Sequence, residues 1–335
     1  MGIFSYLTGW WNRQPPLEEA ERLAIEHAVA VTDPLLKTVS GYQRKLAGAV
    51  RHALAYCDGL VAGIPGPIAI NARAFAADPL VHALFATADD IAAMLGRSRA
   101  VREFLAEPAS ALAGAGDFHA LLGMRRCEKN VMGMSMHGEI VRADTPQKQL
   151  YFFDHTLREL SPDPDETRRR LRQASFDSLV QGYAAKLAEL RGERQQVHNE
   201  WDMQRARLPR KQGAPSATAA NHEHDRERME ALEQRLRLAT ETLAPECVLN
   251  RLTAWLAAPA LHLHLEPTTV SVDRMGVLSD AAVHDAHDSQ VSTLSFSELI
   301  GRDRRHWIVL IARISREEAL RAVERQQEAN RYLII

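Results

Sequence analysis

The sequence predicts a mainly helical protein with a small α+β part. An N-terminal helical bundle is expected together with a long antiparallel coiled-coil hairpin, which projects from a small base containing an antiparallel sheet. Two observations lead to this fold class. Two long charged stretches, residues 163–208 and 229–243, carry apolar residues at helical spacing and are separated by a proline-containing break. Strand-like segments occur before and after these stretches, within residues 130–154 and 261–314.

Residues 17–125 are predicted to form the helical bundle. Between residues 36 and 61, apolar side chains recur every three or four positions, which is the period of a helix. Helix starts are indicated where a capping side chain precedes a proline or an acidic residue of the first turn. Such starts occur at Asp33-Pro34, at Asp78-Pro79, and at Thr87 with Asp90.

The pattern then changes from helical to strand-like. Residues 130–142 and 149–154 are predicted to form two strands, joined by a turn at Asp144-Thr145-Pro146. An isolated two-stranded hairpin is only marginally stable in water, so this one requires more strands or a covering helix.

The helical hairpin is predicted to begin at Asp163, where Asp, Pro164 and Glu166 form a typical capped start. About 45 residues at a rise of roughly 1.5 Å each give a first helix of roughly 65 to 70 Å. The segment Pro209–Ser216 ends this helix, because proline removes a backbone donor and clashes with the preceding turn. The returning helix has the strict three-then-four spacing that favours a partner helix.

The two helices are expected to meet along one apolar seam. Antiparallel pairing would place Trp201 opposite Met229 and Arg194 opposite Leu236. The stem of the arginine can lie along the seam while its charged head stays in water. The predicted interaction seam consists of Leu187, Leu190, Val197, Trp201, Met229, Leu232, Leu236 and Leu243.

The two limbs have similar lengths, so the chain should return near the point where it left. Strands before the hairpin (131–155) and after it (261–314) are therefore predicted to complete one sheet, which would stabilise the first two strands. The resulting domains are an aromatic tail (1–16), a helical bundle (17–125), an α+β base (126–160 with 259–335) and the inserted coiled-coil hairpin (161–258).

Composition and charge favour a soluble protein without a general affinity for polyanions. The chain has 41 basic and 43 acidic residues and a net charge of −2, so no global field attracts it to nucleic acid. Its three cysteines, Cys57, Cys127 and Cys247, form no CxxC pair, which favours a reducing compartment and a cytoplasmic location. Neither a transmembrane segment nor a signal peptide is predicted, and nucleic acid is not an expected partner.

The first 16 residues are unusually aromatic. Phe4, Tyr6, Trp10 and Trp11 precede Pro15-Pro16. Such a segment is consistent with peripheral contact to a membrane, where Trp and Tyr combine an apolar body with a polar edge. The preferred interpretation is a segment that folds back to cover an apolar groove of the protein, because no basic flank is present to hold anionic lipid.

Histidines in the C-terminal part are the main chemical lead. Two imidazoles on one face of a strand, together with donors from a nearby loop, can form a tetrahedral zinc site. Alternating apolar residues and histidines also describe an ordinary half-buried strand, and the spacing matches no closed ligand set. The candidate metal ligands are His262, His264, His284 and His287.

Three functions are consistent with these patterns. The leading hypothesis is a non-catalytic interaction or scaffold protein that uses the coiled coil to bind a partner or itself, without a catalytic residue or a cofactor. The first alternative is a metal-dependent hydrolase that uses the histidines with Asp285 or Asp288 and zinc. The second alternative is a peripheral membrane protein anchored by the aromatic N-terminus.

Overall fold

A computed structural model describes residues 18–107, 116–137, 140–207, 219–273, 275–278, 291–301 and 306–332. The protein is mainly helical and includes a sheet, as the sequence predicts. The chain forms two compact units, Met1–Ala55 with Phe176–Pro259 and Tyr56–Ser175 with Ala260–Ile335. The predicted bundle of residues 17–125 contributes to both of them.

The described α-helices are α1 (Glu19–Thr32), α2 (Tyr42–Ala62), α3 (Ala72–Ala77), α4 (Pro79–Leu84), α5 (Ala88–Arg97), α6 (Arg99–Ala106), α7 (Pro164–Arg207), α8 (Ala219–Thr242), α9 (Pro245–Ala257) and α10 (Arg316–Tyr332). The described strands are β1 (Ile68–Ala69), β2 (Asp117–His137), β3 (Ile140–Ser161), β4 (Leu263–Val272), β5 (Ser292–Gly301) and β6 (His306–Ser315). Short 3₁₀ helices span Pro34–Thr38 and Pro259–Leu261.

The predicted caps are confirmed by their hydrogen bonds. The Asp78 side chain accepts from Leu80 N at the start of α4, and Thr87 with Asp90 forms a reciprocal capping box at α5. The Asp163 carboxylate accepts from Asp165 N (3.2 Å) and Glu166 N (3.3 Å) at the start of α7. Asp33 caps the 3₁₀ helix Pro34–Thr38 rather than a long α-helix.

The sheet joins strands that precede α7 with strands that follow α9, as the sequence predicts. Its strand order is β3-β2-β6-β5-β4, with the short β1 parallel to β6. Residues 117–124 of β2 pair antiparallel with 308–315 of β6. Strands that lie far apart in sequence thereby give the base of the β2–β3 hairpin the additional partner that it needs.

Two boundaries predicted from the sequence are wrong. Residues 117–125, assigned to the helical bundle, lie in β2, where alternate side chains from Phe118 to Met124 enter the core. The predicted turn at Asp144-Thr145-Pro146 is instead continuous strand, since Pro146 pairs with Met132 and the pairing continues to His137 opposite Ile140. Pro146 is tolerated because β3 is an edge strand, where a missing backbone donor need not break the ladder.

The second unit has its core between one face of the sheet and helices α4, α5, α6 and α10. Phe118 on β2 packs against Phe104 on α6 with ring centroids 5.0 Å apart. Fully buried members of this cluster include Leu84, Leu95, Leu122, Met124, Ile308 and Leu310. The density of this packing fixes the positions of α5 and α6 beside the sheet.

In the first unit, α7 and α9 are joined by buried side chains and two hydrogen bonds. The Tyr183 hydroxyl donates to Val248 O (2.9 Å), and the Trp255 indole donates to Leu179 O (3.0 Å). Leu187, the last residue of α7 in this packed region, is 1% exposed. This part of α7 is therefore held by α9, and Arg191 further along α7 also pairs with Asp33 (2.5 Å).

Candidate functional site

The helical arm, defined here as residues 188–207 of α7 with residues 219–243, contains the predicted interaction seam apart from Leu187, which lies just before it. Between residues 188 and 206, five side chains are shielded from solvent and all others are exposed. The five are Leu190, Arg194, Val197, Trp201 and Gln204. Their four-three spacing is that of a helix that faces a single neighbouring helix.

The returning helix has the same pattern. Between residues 226 and 243, shielded side chains alternate with exposed charged ones at steps of three and four. The shielded residues are Met229, Leu232, Leu236, Ala239, Thr242 and Leu243. Each predicted seam residue of α8 is therefore shielded at least in part, and Leu232 is buried.

Among the described side chains, two contacts between α7 and α8 involve Trp201 and Arg235. Trp201 Nε1 donates to Glu233 Oε1 (3.4 Å), and Arg235 Nη1 lies 3.5 Å from Glu200 Oε2. Both contacts are solvent-exposed, so each stabilises the arm by at most about 1 kcal/mol. The sequence predicts Met229 as the residue opposite Trp201, and the observed contact is with Glu233, one helical turn further along α8.

Trp201 stands at the centre of an open groove on the arm. The imidazole of His198 stacks on its indole with ring centroids 6.2 Å apart, and the Arg205 guanidinium lies 5.0 Å from the ring centroid. These neighbours orient the indole but leave it partly exposed. The groove has a volume of about 390 Å³ and is lined by Trp201, Glu233, Leu236, Arg237, Thr240 and Glu241.

The predicted metal ligands are only partly described. His264 lies on β4 with its Nε2 3.2 Å from Glu266 Oε1, and His262 directly precedes the strand. His284 and His287 lie outside the described residues. Within the described ranges, no three His, Cys, Asp or Glu side chains are grouped as metal ligands. The zinc hypothesis therefore rests on the sequence pattern alone.

The aromatic residues Phe4, Tyr6, Trp10 and Trp11 also lie outside the described residues. In the part of the chain that the structure describes, the helices lack an apolar stretch long enough to span a bilayer. The hypothesis of peripheral membrane contact therefore gains no structural support.

The basic run at residues 168–172 has a structural role that the sequence did not indicate. Arg168 donates to Val61 O (3.1 Å) and to Gly66 O (3.0 Å), and Arg172 lies 2.8 Å from Asp58 Oδ1. Arg168 thus adds a second donor to a carbonyl of the last turn of α2, which also accepts from Ile64 N (3.2 Å). These two arginines bind elements of their own unit.

Sequence reasoning missed a cleft in the second unit, which has a volume of about 810 Å³ and lies between α5, α6 and the edge strand β3. No motif in the sequence marks it, because its walls are brought together only by the tertiary fold.

Comparisons of the chain with protein-family models, curated proteins and solved structures found no match.

Proposed function

We propose that this protein is a non-catalytic interaction protein, and that α7 and α8 form an antiparallel two-helix coiled coil whose open side binds another protein chain. The observation that carries the proposal is the shielding pattern of the helical arm. The residues shielded on both helices are those at three- and four-residue steps, while nearly every residue between them is exposed. This is the pattern of a two-helix seam with polar outer faces.

Trp201 is only partly shielded and lines a groove that also contains Leu236. Tryptophan in a pocket between polar neighbours is the residue type that most often dominates the binding energy of protein interfaces. This supports the groove around Trp201 as the centre of the contact.

The charges around this groove favour a second copy of the chain as the first partner to test. Arg237 lies between Glu233 and Glu241 along the groove. Arg237 Nε lies 3.7 Å from Glu241 Oε1 in the same helix. In a two-fold symmetric contact the same patch meets itself, so a copy can place the acidic residues of its groove opposite Arg237. A different helical protein with a mixed-charge surface remains the alternative partner.

Sedimentation velocity over a concentration range on the order of 1 to 100 µM tests self-association. The informative variant lacks one heptad from each helix, residues 195–201 and 233–239, which removes Trp201 and Leu236 but retains the seam period. Wild-type protein is expected to form dimers, and the shortened variant is expected to remain monomeric. Leu238→Ser is the control, because Leu238 is 56% exposed and lies outside the seam.

If the wild-type chain is monomeric, affinity capture with intact and shortened chains tests the alternative partner. A protein retained only by the intact arm would support the proposal. Equal association of the two chains in both experiments would contradict it.

We also propose a cytoplasmic location, since Cys57, Cys127 and Cys247 are all free thiols, which persist in reducing compartments.

A further inference from the structure

The cleft of the second unit has two walls of different origin. The helical wall comes from the end of α5 and the start of α6, and includes Met94, Arg97 and Ala100. The other wall is the edge strand β3 from Phe152 to Glu159. The cleft has a volume of about 810 Å³, which lies within the range of roughly 300 to 1,000 Å³ that is usual for small-molecule sites.

Two bulges in β3 shape this wall. Two of the three shifts in the β2–β3 register lie in this part of the strand, and the extra residues there include Asp154 (φ 56°) and Glu159 (φ 53°). Both residues therefore have left-handed backbone conformations, which are strained for side chains other than glycine and recur at functional sites. The bulges also interrupt the outer edge of the strand, so an added peptide strand could not form a continuous ladder. The cleft therefore suits a small molecule better than an extended peptide.

His155, next to one bulge, provides a fixed hydrogen-bond acceptor. Its ring stacks on Phe85 with centroids 4.6 Å apart, and its Nε2 lies 2.8 Å from Leu84 O. A carbonyl oxygen only accepts, so Nε2 carries the proton and the neutral ring keeps the lone pair of Nδ1. Burial lowers the pKa of His155, which favours this neutral form.

Most charged groups of the cleft are already committed to other groups. Arg99 donates to Glu103 (2.6 Å), and the Asp90 carboxylate caps α5 at Thr87. Asp154 lies 3.8 Å from Arg125.

Two arginines of the cleft are not engaged by any described carboxylate. Within the described part of the chain, Arg97 and Arg158 have no ion-pair partner, and neither do the carboxylates of Asp90, which is held by Thr87, and Glu159. The cleft as a whole is therefore not positively charged, but its two free guanidinium groups can bind an anion without breaking an existing ion pair. Arginine is the side chain best suited to planar, bidentate recognition of carboxylate or phosphate.

We propose that this cleft binds a small organic anion. Arg97 and Arg158 hold its carboxylate or phosphate group, and His155 Nδ1 accepts a hydrogen bond from a hydroxyl group of the same molecule. The proposal concerns a different unit from the helical arm and does not depend on the interaction function.

Isothermal titration of the full chain with inorganic phosphate, succinate and malate tests this site. Malate differs from succinate by one hydroxyl group and is expected to bind more tightly if His155 accepts from it. Arg97→Gln and Arg158→Gln are each expected to weaken binding of the tightest probe by roughly tenfold. Arg102→Gln, an exposed substitution on α6 outside the cleft, is the control and should leave binding unchanged.

Circular dichroism of each variant establishes that it remains folded. Equal binding by the cleft variants and the Arg102→Gln control would mean that the anions bind elsewhere and would overturn the proposal. Failure of all three probes to bind the wild-type chain would also overturn it. Preferential loss of succinate or malate binding in the cleft variants identifies a carboxylate ligand, and preferential loss of phosphate binding identifies a phosphate ligand.

Discussion

The protein contains two pairs of long consecutive elements, helices α7 and α8 and strands β2 and β3, which depend on their surroundings to different extents. Helices α7 and α8 contain 44 and 24 residues, and strands β2 and β3 contain 21 and 22. A helix satisfies its backbone hydrogen bonds internally, so the helical arm requires only a narrow seam. A strand requires neighbours, yet β6 pairs with β2 only as far as Met124.

The β-hairpin should therefore derive most of its stability from its base, residues 117–124 of β2 and their partners. Residues 117–124 of β2 have a strand on each side and enter the core, whereas Met132, further along the same strand, is 69% exposed. In the helical arm, shielded residues continue along α7 as far as Gln204. Substitutions along each hairpin therefore distinguish the two architectures.

The largest effect is expected for Phe118→Ala at the base of the β-hairpin. Phe118 is 2% exposed and contacts Phe104, so its removal should destabilise the second unit by about 3 to 5 kcal/mol. The matched control, Met132→Ala on the same strand, should change stability by less than about 0.5 kcal/mol. Urea denaturation followed by circular dichroism measures both. Similar losses for the two variants would mean that the far end of the hairpin is packed as well as its base.

A smaller effect is expected for Tyr183→Phe on α7, where α7 packs against α9. The variant loses the hydrogen bond to Val248 O, which should cost about 1 kcal/mol near neutral pH. Burial raises the pKa of Tyr183 from its ordinary value of 10.0 to about 12. A raised folded-state pKa gives stability that is complete below pH 10 and is lost as pH rises towards 12.

Thermal melts of the wild type and of Tyr183→Phe between pH 7 and about 11 test this prediction. The advantage of the wild type should be constant below pH 10 and should shrink above it. A difference that is independent of pH over the whole range would mean that the Tyr183 hydroxyl is not buried against α9.

Local signals in the sequence were sufficient for the helices and their caps. The caps at Asp78, Thr87 and Asp163 could be predicted because each hydrogen bond joins residues only two or three positions apart. The shielded positions of the helical arm also follow from the sequence, since they depend on a three-four period that one helix displays by itself.

Features that depend on tertiary contacts were not predictable in the same way. Alternation at Phe118, Ala120, Leu122 and Met124 is short enough to resemble the end of a helix, and the pairing with β6 decides the structure. Pro146 predicts a turn unless its strand is known to be an edge. The cleft beside β3 depends on two bulges and on the packing of α5 and α6, none of which has a local sequence signal.

The proposed function depends on pairing of α7 and α8 within one chain, and pulsed dipolar spectroscopy measures this pairing directly. Spin labels at Glu200→Cys and Arg235→Cys, in a background with Cys127→Ser and Cys247→Ser, report on positions whose side chains lie 3.5 Å apart. A single distance below about 20 Å is expected, because packed helices lie roughly 8 to 10 Å apart. It should persist when labelled protein is mixed with excess unlabelled chain. A longer distance, or a short one that disappears on mixing, would contradict pairing within the chain.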